Sequence, residues 1–138
     1  ETRPRRGLLG GAAAPARRRA GRLGQGWIGG GRHAPTRIGA CVETVREGAR
    51  AAERDPQALR ILIRGVVDLV EHDPGDRRPP LHGTREQVLD DLRALRAQGA
   101  TELFFDLNLS PRVGAPDVDA GAALAYAERV LDAFAPVS

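Results

Sequence analysis

Gly7-Leu8-Leu9-Gly10-Gly11 opens the interpretable part of the chain, and Gly24-Gln25-Gly26-Trp27-Ile28 follows about one short helix later. The first stretch reads as a brief buried strand ending in a glycine pair. Pro15 to Leu23 reads as a helix, with Pro15 in the first turn where a missing N–H costs little. Gly26-Trp27-Ile28 reads as a second strand. Glycines at a strand end let backbone N–H groups approach a phosphate closely, and the positive end of the next helix points to the same place. The stretch therefore predicts a βα unit in which Gly10 and Gly11 either cradle a phosphate group or form a tight strand-to-helix turn that needs glycine for backbone reasons.

The alternation continues to the C-terminus. Ile38, Val42, Val45, Ala49 and Ala52 recur at helical spacing, giving a long helix from Pro35 that Asp55-Pro56 ends. The apolar run from Ile61 to Val70 reads as a strand buried on both faces, with Arg64 as its one exception. Thr84 and Gln87 form a capping box, Val88, Leu92 and Leu95 form the helical stripe behind it, and Gly99 is placed to close that helix. Thr101 to Leu107 reads as a fourth strand, and Asp119 as the cap of a last helix carrying Tyr126, Val130 and Phe134. Strands at 7–10, 26–29, 60–68 and 101–107, each followed by a helix, predict an α/β fold with parallel strands. Four such units form either a small open sheet or half of an eight-stranded barrel. Residues 1–6 are an irregular basic head, and 7–138 the partial barrel. The loops at Gly29–Pro35 and Glu71–Pro80 are expected to lie at the C-terminal rim and to be mobile.

At 138 residues the length fits one domain, and the single Cys41 excludes an internal disulfide. With no secretory leader pattern and no apolar run near the roughly 20 residues of a membrane span, the expected setting is the cytoplasm, away from membranes. All 21 basic residues are Arg. Residues 1–37 hold nine Arg and one acid, +8, and the remainder twelve Arg and seventeen acids, −5, which sum to the net +3. The basic head lacks the interleaved aromatic residues of a nucleic-acid surface, which weighs against that partner. A chain with no Met that opens on Glu1 reads as a piece of a longer protein, or as one whose start was cut or misassigned.

Several side chains are candidates for chemistry. Trp27, the only Trp, either stacks near a planar ring at the strand end or packs between strand and helix. Arg64 either faces the barrel mouth, toward Asp106 or an anionic ligand, or marks an exposed strand end. Asp106 and Asn108 are two apart at the end of the fourth strand and hence on the same face, and either line a substrate pocket or cap a loop. Of Arg17, Arg18 and Arg19, consecutive on a helix, at most one faces the phosphate loop. His33, His72 and His82 are scattered without metal-ligand spacing, and no residue stands out as a nucleophile or general base.

Taken in order, Gly7-Leu8-Leu9-Gly10-Gly11, Arg18-Arg19-Ala20-Gly21-Arg22-Leu23-Gly24, Gly26-Trp27-Ile28, Arg54-Asp55-Pro56 and Gly83-Thr84 before Gln87-Val88 resemble the C-terminal half of the luciferase-like flavin-dependent monooxygenases. The likeness is closest to the branch that uses the deazaflavin coenzyme F-420. The resemblance implies the last four units of a (β/α)8 barrel, with coenzyme F-420 or FMN held at Gly10, Gly11, Ala12, Ala13, Ala14 and Trp27. It also implies an organic substrate near Arg64, Asp106 and Asn108. The implied activity is that of an oxidoreductase, by hydride transfer or by oxygen insertion through a reduced flavin. The alternative is a non-enzymatic half-barrel that serves as a dimerisation module. Leu9, Ile28, Ile61, Ile63, Leu103 and Phe105 are the expected inner-face residues. Without four further units over that face, the chain is expected to form a homo-oligomer, to aggregate or to be only partly folded, and to bind cofactor weakly if at all.

Overall fold

A computed structural model describes residues 7–30 and 37–135. Its elements are β1 (Leu8–Gly10), α1 (Ala14–Leu23), β2 (Gly26–Gly29), α2 (Ile38–Arg50), β3 (Arg60–Gly65), β4 (Asp68–Leu69), β5 (His82–Gly83), α3 (Arg85–Ala97), β6 (Glu102–Phe105) and α4 (Ala120–Phe134). The main sheet has the order β1-β2-β3-β6. β1 runs parallel to β2 and β2 to β3, with Leu9 level with Trp27 and Trp27 level with Ile61. Between β3 and β6, Thr101 donates to the Ile61 carbonyl and Asp106 to that of Gly65. Both strands thus advance in the same direction, and the predicted parallel α/β fold is the observed one. The basic head and part of the Gly29–Pro35 loop lie outside the described residues.

The chain divides into two compact units. One holds the residues up to Arg64 together with Arg93–Phe104, and the other holds Gly65–Leu92 and Phe105 onward.

In the first unit, Trp27, Ile61 and Ile63 are buried on one face of the sheet, and Ile38, Val42, Val45 and Ala49 give α2 its buried stripe. Helices α1 and α2 cross at glycines. A Cβ on Gly21 would stand 1.8 Å from the Val45 carbonyl oxygen, and one on Gly48 2.1 Å from that of Arg18. Backbone meets backbone there, so neither position has room for a side chain. Arg54 closes the C-terminal end of α1. Its guanidinium donates to the Gly21 carbonyl and, at 2.6 Å, to that of Gly24. A cation on helix-end carbonyls satisfies acceptors that have no intrahelical partner and also meets the negative end of the dipole. Arg54→Ala should therefore lower stability by about 2 kcal/mol, since hydrogen bonds to charged groups contribute about 1.5–3 each. Chemical denaturation of the two proteins measures this.

Strand alternation corrects the expected inner face. Leu9, Ile61 and Ile63 share the row of buried Trp27, not that of Ile28. The opposite face carries Leu8, Gly10, Ile28, Leu62 and Arg64. Arg60 pairs with Glu102 at 2.5 and 2.6 Å, which puts Phe104 on this second face and Leu103 and Phe105 on the other. Leu8, Ile28 and Leu62 are half-buried, and Phe104 is 51% exposed.

In the second unit, the predicted strand from residue 60 to 68 stops at Gly65. The Tyr126 hydroxyl donates to the Val67 carbonyl at 3.0 Å and accepts from the Leu69 amide at 2.9 Å. A side chain thus takes backbone groups that a longer ladder would have paired, and Asp68–Leu69 joins His82–Gly83 in a separate parallel pair. The Glu71–Pro80 stretch is irregular as expected, and Arg78 ties it down: its Nη1 and Nη2 reach Asp91 at 2.7 and 3.0 Å. The capping box forms, with Thr84 N on Gln87 Oε1 at 3.0 Å and Gln87 N on Thr84 Oγ1 at 3.4 Å. Asp119 caps α4 through the Ala122 amide at 2.9 Å, and Tyr126 and Val130 are buried behind it.

Acid should weaken both units. The Arg60 guanidinium holds the Glu102 carboxyl below its usual range, and the Gly75 amide, followed by the Gln87 side chain, does the same for Asp73. Depressed folded values mean that this stabilisation is present above the unfolded carboxylate value of about 4 and is lost as pH falls through the folded ones. Denaturation midpoints should fall as the pH drops below about 4, and a Glu102→Gln, Asp73→Asn double variant, which lacks both titrating groups, should show a shallower acid slope.

Candidate functional site

The β1–α1 turn is built of backbone. β1 ends at exposed Gly10, where a Cβ would meet only Ile28, at an ordinary 3.5 Å. Gly11 has φ +134°, and a Cβ there would lie 2.5 Å from the Ala16 Cβ. Both its conformation and the space around it therefore require glycine. Ala13 occupies the N-cap position in an extended conformation without a side-chain cap, and Pro15 stands in the first turn. The first turn-closing bond is Arg17 N to the Ala13 carbonyl at 3.1 Å. The amides of Ala14 and Ala16 precede it, where no intrahelical acceptor reaches. An uncapped helix start next to an open glycine strand end is a cluster of donors suited to an anion.

Trp27 is placed differently from the ring-stacking expectation. It is 1% exposed, and its Nε1 donates to the Gly11 carbonyl at 3.0 Å. Buried in this way, the indole ties down the turn through the Gly11 carbonyl and offers no surface for stacking. Of the three consecutive arginines, Arg17 is the one turned inward. Its guanidinium carbon lies 5.6 Å from the centroid of the Trp27 ring, while Arg18 and Arg19 are exposed. The periodicity that limits the choice to one could not tell which, because the choice depends on where Trp27 sits across the helix–sheet interface.

Gly10, Gly11, Ala12, Ala13 and Ala14 are thus brought together in one turn. Arg64 is exposed and belongs to the face of Gly10, Ile28 and Leu62. Asp106 and Asn108 do not form the expected pair on one strand face. β6 ends at Phe105, and Asp106 begins a 3-10 turn over Leu107–Leu109. Its carboxylate accepts from the Asn108 amide at 3.1 Å. Asp106 is buried, whereas Asn108 is exposed. The capping interaction ends the alternation on which the shared face depended. Among the described residues no group of three His, Cys, Asp or Glu side chains is placed to hold a metal ion. Nor is any described helix long and apolar enough to cross a membrane.

No protein-family model matches the chain, and no curated protein does. Solved structures do. The coenzyme F420-dependent tetrahydromethanopterin reductase from Methanopyrus kandleri matches 70% of this chain and 43% of its own, with a TM-score of 0.61 and 11% identity. An F420-dependent secondary alcohol dehydrogenase, solved with an F420-acetone adduct, matches 92% of this chain and 48% of its own, with a TM-score of 0.60 and 14% identity. The chain spans less than half the length of either, and what it shares with them, at this identity, is the α/β fold of parallel strands and flanking helices.

Proposed function

We propose that the chain is part of an F420-dependent oxidoreductase, and that the β1–α1 turn holds the phosphate of the deazaflavin. The observation that carries this reading is the uncapped start of α1 beside Gly10 and Gly11. Two structures of similar fold bear names that specify F420, which favours the deazaflavin over FMN. In this reading the amides of Gly11 to Ala14 and of Ala16 bind phosphate oxygens. The Gly10 backbone allows close approach, Trp27 fixes the Gly11 carbonyl, and Arg17 adds positive charge behind the turn. Arg64 and the half-buried Ile28 and Leu62 then line the face along which the cofactor and an organic substrate would lie. Bound F420 supplies hydride chemistry, and the chain supplies position and electrostatics. Oxygen insertion through a reduced flavin is the other reaction open to such a site.

Titration with F420, followed by its fluorescence, tests the assignment with Ala13→Asp as the informative variant. An aspartate at the N-cap position should stabilise α1 by about 1 kcal/mol. The same carboxylate should repel the phosphate and weaken F420 binding about tenfold or more. A variant that is more stable and still binds F420 as tightly as the parent removes the turn from the site.

A second reading, a dimerisation module, is favoured by Phe104. A half-exposed aromatic ring on a sheet face with Leu8, Ile28 and Leu62 is suited to cover by a second copy or by further βα units. Sedimentation at several concentrations should show self-association that Phe104→Asp abolishes, and a strict monomer at all concentrations excludes the module.

A further inference from the structure

A groove of about 460 Å³ runs along α4 in the second unit, lined by Arg112, Val118, Ala122, Ala125, Tyr126 and Arg129. Its composition is divided. Val118, Ala122 and Ala125 form a small apolar wall, and the two arginines stand at its polar side. Arg112 is oriented before any ligand arrives. Its Nε donates to Asp68 Oδ1 at 2.8 Å, and its guanidinium carbon lies 5.3 Å from the centroid of the Tyr126 ring. Tyr126 is itself fixed by its hydroxyl bonds to Val67 and Leu69.

A guanidinium held through Nε keeps the edge formed by its two η nitrogens for another acceptor. That edge matches the two oxygens of a carboxylate. Arg129 reaches Glu71 only at 3.9 Å, across an exposed pair, so little holds it away from an incoming anion. His82 Nδ1 lies 4.0 Å from Asp68 Oδ2, on the side of the carboxylate away from the Oδ1 that Arg112 holds. The volume exceeds that of a bare inorganic anion, and the alanine wall admits a short hydrocarbon body.

We propose that this groove binds a small monocarboxylate, with the carboxylate on the η edge of Arg112, supported by Arg129, and a short apolar chain against Val118, Ala122 and Ala125. The assignment is independent of the phosphate turn, which belongs to the other unit.

Tyr126 is the only tyrosine of the chain, so its ring resonances report the groove without ambiguity. The full chain is titrated with hexanoate, hexanol and inorganic phosphate, with no F420 present. Hexanoate should give a saturable shift of the Tyr126 ring, and hexanol and phosphate should each bind about tenfold more weakly, since each offers one of the two complementary parts. Arg129→Gln, at an exposed site whose loss leaves the fold intact, should weaken hexanoate severalfold. Ala125→Leu, which fills the wall without touching charge, should do the same. Equal binding of hexanol makes the groove merely greasy, and equal binding of phosphate makes it a simple anion site. Either result, the absence of a hexanoate shift, or variants that bind like the parent overturns the proposal. None of these outcomes bears on F420 binding at the β1–α1 turn.

Discussion

Gly21→Val is expected to unfold most of the chain at temperatures where the parent is fully folded. The Cβ of any residue at 21 would coincide with the Val45 carbonyl, and the Ala49 amide lies only 2.9 Å from the same point. Neither neighbour is a flexible side-chain end that can turn away. The helices must separate, and separation uncovers Ala20, Val42, Val45 and Ala49, which are at most 1% exposed. Overpacking alone costs about 1–3 kcal/mol and occasionally more, and this case lies at the upper limit because backbone opposes backbone. Against a domain stability of about 5–15 kcal/mol, a loss of about 3 kcal/mol or more should lower the thermal midpoint by roughly 10 °C. Gly48→Val should behave alike for the reciprocal reason, the Arg18 carbonyl. Combining the two should cost less than their sum, because one separation relieves both clashes. Circular dichroism melts of the singles and the double decide the matter. A midpoint within about 2 °C of the parent for either single would mean that the helices do not cross at these glycines.

The second large effect is expected at Asp91. Its carboxylate receives both η nitrogens of Arg78 and, at 2.7 Å, the amide of Leu81. The pair is well shielded, with the two side chains 18% and 17% exposed. Hydrogen bonding to Asp91 raises the Arg78 pKa above its ordinary value, more than burial lowers it, so the guanidinium stays charged at every accessible pH. Leu81 is also held at φ +63°, in the left-handed region, with its side chain buried. Asp91→Ala thus removes the acceptor of a shielded cation and releases a strained turn at once. Breaking such a pair by deleting one partner costs about 3–5 kcal/mol when fully buried. With the remaining exposure, about 3 kcal/mol is expected. Asp91→Asn keeps one acceptor oxygen and should lose about half as much. Hydrogen exchange should show the loss first in the amides of Leu81, His82 and Gly83. An unchanged stability for Asp91→Ala would show that the 71–83 stretch is held by other means.

The difference between what could be read in the sequence and what could not follows from the range of the interactions. The βα order was legible because Leu8-Leu9, Trp27-Ile28, Ile61 to Val70 apart from Arg64, and Leu103 to Phe105 are largely apolar runs between turn residues. The helix starts at Thr84 and Asp119 were legible because capping is decided within four residues. The glycine turn after β1 was legible for the same reason, since Gly11 needs its left-handed φ whatever lies beyond. Sequence could not place the indole of Trp27 or choose among Arg17, Arg18 and Arg19, because both depend on which sheet face α1 covers. It could not end the third strand at Gly65, since the hydroxyl that interrupts the ladder belongs to Tyr126, about sixty residues away. For Asp106 sequence left a pocket acid and a loop cap both open, and the structure shows the cap, with the Asn108 amide 3.1 Å from its carboxylate. Local sequence thus determined the order of strands and helices and the amide-rich turn. Tertiary structure decided which faces are covered, which arginine turns inward and where the Arg112 groove opens, because each of those depends on partners that only packing brings within a few ångströms.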